Sequence, residues 1–65
     1  MHFQIRITRE GSGRFLVMCG ERRAGTVHGG GADWSAETAA GSALGRFSSK
    51  ARAIEALVAH VAQGR

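Results

Sequence analysis

The chain has 65 residues and a mass of 6.9 kDa, enough for one small domain and too little for two independent cores or a lidded multi-step enzyme. Hydrophobic residues make up 43% and charged residues 22%, a balance that excludes a wholly disordered chain. Nine Lys and Arg against five Asp and Glu leave a formal charge of +4, which favours an acidic partner such as DNA, although codon bias toward Arg, Ala and Gly produces the same surplus.

The lone cysteine, Cys19, cannot close an intramolecular disulfide, which fits a reducing interior. The opening Met1-His2-Phe3-Gln4-Ile5-Arg6 holds no secretory signal, and no stretch approaches the roughly 18 apolar residues of a membrane span. A soluble cytoplasmic protein that meets no membrane is therefore expected.

Ten glycines and no proline mean that tight turns rely on positive φ, and hairpins are expected. Residues 3–8 alternate, with Phe3, Ile5 and Ile7 on one side and Gln4, Arg6 and Thr8 on the other, the period of a half-buried strand. Glu10-Gly11-Ser12-Gly13 reads as a turn, and Arg14 to Cys19 as a second strand that is apolar on both sides. Gly20-Glu21-Arg22 turns the chain into a third strand from Arg23 to His28, and Gly29-Gly30-Gly31 reads as a flexible connector. Asp33 to Thr38 and Ser42 to Phe47 form a second hairpin around Ala39-Ala40-Gly41.

Phe15-x-Val17 followed by Gly25-x-Val27 is echoed by Trp34-x-Ala36 followed by Gly45-x-Phe47, which predicts a bulge or close backbone approach at Gly25 and Gly45. Beyond the strands, Ser48 or Ser49 caps an amphipathic helix whose apolar stripe is Ala51, Ile54, Leu57, Val58 and Val61, with Gly64 placed to end it.

Together these elements predict an α+β fold over residues 1–65: an antiparallel meander of four or five strands with a C-terminal helix packed on one face. The expected helix-side residues are Phe3, Ile5, Ile7, Phe15, Val17, Val27, Trp34, Ala36 and Phe47. The opposite face then carries Gln4, Arg6, Thr8, Arg14, Leu16, Met18, Ala24, Thr26, Leu44 and Arg46, an apolar centre with a basic rim. A helix of this length crosses one face and cannot shelter both. Large apolar side chains left in water each forgo about 1.5–3 kcal/mol of burial, so the open face is expected to meet another molecule.

The stretch Trp34-Ser35-Ala36-Glu37, then Leu44-Gly45-Arg46-Phe47-Ser48-Ser49-Lys50, then Ala53-Ile54-Glu55-Ala56, resembles the APETALA-type DNA-binding domain and the arm-type DNA-binding domain of phage integrases. The likeness covers residues 33–60 and implies a three-stranded sheet that lies on a helix and presents Arg and Trp to the DNA major groove. It implies Arg46 and Trp34 as readers, with Arg22 and Arg23 on the preceding hairpin as further contacts. This chain departs from the pattern in its second strand, where Leu16 and Met18 stand in place of a denser run of arginine.

The residues themselves offer the same chemistry: Arg6, Arg14, Arg22, Arg23 and Arg46 fall on strands or hairpin turns, where guanidinium forks can meet phosphates or guanine edges. Trp34 is either a core anchor or a base-stacking platform. The rival expectation is a protein interface or homodimer seam at Leu16, Met18 and Leu44. Cys19 reads as a core residue, and the scattered His, Cys, Asp and Glu show no metal-ligand spacing, no catalytic set and no phosphate loop. No enzyme, metal, cofactor or small-molecule substrate is expected.

Overall fold

A computed structural model describes residues 4–63, and Phe3 and Gly64 lie outside them. The order of elements is β1 (Ile5–Gly11), β2 (Arg14–Cys19), β3 (Arg22–Gly30), β4 (Asp33–Thr38), β5 (Ala43–Phe47) and α1 (Lys50–Gln63). The strands make one antiparallel sheet in the order β1-β2-β3-β4-β5, so each strand pairs with its neighbours in sequence and β4 lies beside β3. The expected α+β meander with a C-terminal helix is the observed fold. Among the described residues no helix is long and apolar enough to cross a membrane.

The glycine triplet is not a connector. Gly29 pairs with Trp34 and Gly30 with Asp33, so both complete β3 and leave a short turn at Gly31 and Ala32. Glycine composition reads as a linker when seen alone, but here backbone partners on β4 recruit it into the ladder.

The expected irregularities at Gly25 and Gly45 are both β-bulges. Val17 pairs with Gly25 and Met18 with Arg23, which leaves Ala24 as the extra residue. Ala36 pairs with Gly45 and Glu37 with Ala43, which leaves Leu44 as the extra residue. The glycines that follow have positive φ, +148° at Gly25 and +121° at Gly45, a conformation that a Cβ disfavours. An inserted residue reverses the alternation of faces, and both extra side chains end on the helix side. Ala24 is buried in the core and Leu44 is half-buried against it, which corrects their expected place on the open face.

α1 begins at Ser49, whose Oγ accepts a hydrogen bond from the Arg52 backbone N–H at 3.2 Å, the geometry of an N-cap. Ala53 and Leu57 are fully buried and Ile54, Val58 and Val61 partly so, while Ala51, expected on this stripe, is exposed. Beneath the helix lie Val17, Val27, Ala36 and Trp34, with the Phe15 and Trp34 rings tilted at 41° and 6.1 Å between centroids. Lys50 Nζ sits 4.1 Å from the Phe15 ring centroid, a cation–π contact that closes this end of the core.

α1 rests mainly on β3 and β4, reaches β5 and β2, and does not touch β1. Ile5 and Ile7 therefore do not pack on the helix as expected, and they stand 39% and 44% exposed. A helix is about 10 Å across, whereas five strands at about 4.8 Å spacing span about 19 Å.

A Cβ on Gly25 would run into the Glu37 carbonyl oxygen and lie 2.9 Å from Thr38 Cα. Gly25→Ala should cost at least about 2 kcal/mol in chemical denaturation, while Gly30→Ala, which meets nothing within 4 Å, should change stability by less than about 0.5 kcal/mol.

Candidate nucleic-acid interface

The register arranges the open face in three rows that cross the strands. One row is Arg14, His28, Ser35 and Arg46. The middle row is Thr8, Leu16, Thr26, Glu37 and Ala43. The third is Arg6, Met18 and Arg23. No described element covers this face, since α1 packs on the side of Val17, Val27 and Ala36.

Arg6, Arg14, Arg23, Arg46, Leu16 and Met18 thus share the open face. Leu16 and Met18 are half-buried rather than freely exposed. Met18 lies between Arg6 and Arg23 in the register, and Leu16 between Thr8 and Thr26, so each has a neighbour on either side.

Arg22, Trp34 and Leu44 are not brought to this face. Arg22 pairs with Cys19, which is buried on the helix side, and it borders an open cleft of about 210 Å³ with His60, Val61 and Arg23. Alternation thus points two arginines that are adjacent in sequence to opposite faces, although both border this cleft. Trp34 is only 9% exposed, and its Nε1–H donates to the Gly31 carbonyl at 3.0 Å, so the indole anchors the core and is unavailable to a base. Leu44 was carried to the helix side by its bulge.

Three residues that the sequence reading did not place in a site lie among the arginines. His28 joins the row of Arg14 and Arg46, and its sequence signal is alternation from Thr26, two residues earlier on the same strand. Asp33 accepts a hydrogen bond from Arg46 Nη2 at 3.0 Å, and Glu37 lies in the middle row. Glu10 Oε1 lies 3.7 Å from Arg14 Nε. The side chains of both ion pairs are well exposed, 77% and 65% for Arg46 and Asp33, so each pair is worth no more than about 1 kcal/mol. Arg6 and Arg23 have no carboxylate partner among the described residues.

Among the described residues no group of three or more His, Cys, Asp and Glu side chains is placed to hold a metal ion. Cys19 is a free, buried thiol. No protein-family model, curated protein or solved structure matches the chain.

The burial of Trp34 makes its fluorescence a check on its role. Emission should be blue-shifted and poorly quenched by acrylamide, and saturating duplex DNA should leave it unchanged. Trp34→Ala should cost about 3–5 kcal/mol of stability through loss of the core anchor.

Proposed function

We propose that this chain is a small non-catalytic module that binds duplex nucleic acid through the open face of its sheet, with Arg6, Arg14, Arg23 and Arg46 on phosphates. The carrying observation is the pair of cationic rows at the levels of Arg14 and Met18 on β2, with a row free of cations between them. Four residues along a strand cover about 14 Å, and the major groove is about 12 Å wide. The two rows therefore suit the two phosphate lines that border a groove, and the middle row, including Glu37, lies over the groove itself.

A sheet about 19 Å across cannot enter that groove flat, so contact falls on the backbone and sequence preference is weak. Phe15, Trp34 and Phe47 all belong to the helix side, which leaves no described aromatic platform for unpaired bases and favours a duplex over a single strand. The exposed pairs Arg46–Asp33 and Arg14–Glu10 can exchange their carboxylates for phosphate at little cost. The likeness of residues 33–60 to DNA-binding domains that use a sheet supports a role for Arg46. The free thiol of Cys19 is in keeping with a reducing, cytoplasmic setting.

One observation favours a protein partner on the same face: Leu16 and Met18 stand next but one along β2 in its middle, with arginines around them. Binding of a labelled DNA duplex across a salt series separates the readings. The logarithm of affinity should fall steeply with the logarithm of salt, and Arg23→Ala with Arg46→Ala together should reduce that slope by about 2. Arg22→Ala should leave the slope unchanged, and Asp33→Asn should tighten binding by releasing Arg46. Failure to bind duplex at low salt, or a slope indifferent to the double substitution, rejects the proposal. A self-association that Leu16→Glu abolishes, without duplex binding, selects the protein partner instead.

A further inference from the structure

We infer that β1 is the seam of a symmetric dimer, in which the β1 strands of two copies pair antiparallel about Thr8 and join two five-stranded sheets into one of ten strands. β1 pairs only with β2, and no other described element touches it. Its outer edge carries unpaired backbone groups along seven exposed residues, regular from Ile5 to Arg9 with a bulge at Glu10 beside the turn, and no proline interrupts it. The exposed large apolar residues among those described are Ile5 and Ile7, both on this strand.

The pattern around Thr8 is what selects a second copy rather than a foreign strand. Arg6 lies two residues before Thr8 and Glu10 two after it. Antiparallel pairing centred on Thr8 sets Arg6 of each copy opposite Glu10 of the other, so one surface satisfies itself twice, as a two-fold interface requires. Arg6 has no carboxylate partner within the chain among the described residues, and Glu10 lies 3.7 Å from Arg14, on the same face. The same register sets Ile7 opposite Arg9 of the other copy and the two Ile7 residues on a diagonal, within reach across the seam on the helix side. A register centred on Arg6 instead would oppose two guanidinium groups, so the charges fix the alignment. The two sheets would present their open faces on one side, because a two-fold axis normal to the sheet preserves faces.

Two measurements test this arrangement. Residues opposed at the centre of an antiparallel pair have Cα atoms about 4.5–5.5 Å apart, within disulfide range, whereas two copies of residue 6 would be about 14 Å apart. Under mild oxidation Thr8→Cys should run largely as a disulfide-linked dimer and Arg6→Cys should not, with the buried Cys19 outside the reaction. In sedimentation equilibrium, Arg6→Glu should weaken the dimer at least about fivefold, and Arg6→Glu with Glu10→Arg should restore it to within about twofold. Circular dichroism confirms that each variant remains folded. A wild-type chain that stays monomeric to about 500 µM, a dimer indifferent to Arg6→Glu, or equal cross-linking at positions 6 and 8 overturns the inference. Arg23 and Arg46 lie away from the seam, so the salt slope of duplex binding reports on the open face independently of this result.

Discussion

A single helix about 10 Å across rests on a sheet about 19 Å across, and most of what distinguishes this protein follows from that mismatch. α1 takes the centre and the β5 side, where Val27, Ala36 and Trp34 give it a floor, and the remaining width belongs to β1. No described element covers one of the two faces, and on the other face Ile5 and Ile7 extend past the roof. The bare face is rich in guanidinium groups and the overhanging strand carries two exposed isoleucines, so the cationic surface and the large exposed apolar side chains lie on opposite faces.

Of the three bulges in the sheet, at Glu10, Ala24 and Leu44, those in β3 and β5 decide which side chains share a face. In an unbroken ladder Ala24 would point out of the core and Leu44 away from α1. Each of these two insertions comes just before a glycine of positive φ, so a small shift in backbone alternation is locked by a residue without a side chain. Ordinary alternation at the start of β3 sends Arg22 and Arg23 to opposite faces, although both border the cleft beside His60 and Val61.

The fold was largely legible in the sequence. Alternation gave β1 and β2, the repeated Gly-x-apolar spacing located the bulges in β3 and β5, and a serine followed by an apolar stripe located α1. Physical context hid the rest. Gly29 and Gly30 lack the side chains that mark a strand, yet their backbone pairs with β4. Ile5 and Ile7 carry a buried-strand pattern, but periodicity reports the direction of a side chain and not whether a helix is wide enough to cover it. The basic face was legible at Arg6, Arg14 and Arg46, whereas Arg23 joins it only because the bulge at Ala24 reverses the alternation of β3. Leu44 departs from its expected face where a bulge reverses the alternation, and pairing with Arg14 and Ser35 sets which row His28 joins.

The sequential order of the strands has a consequence for how the chain is made. Every strand can pair with one already synthesised, across a short turn, so the closure entropy at each step is small and the topology is suited to rapid assembly. α1 follows all five strands in the chain, so a sheet that forms in sequential order stands without its helix until α1 docks. For that interval Val17, Val27 and Ala36 have no cover, which makes the nascent sheet the stage at which this protein most needs protection from aggregation.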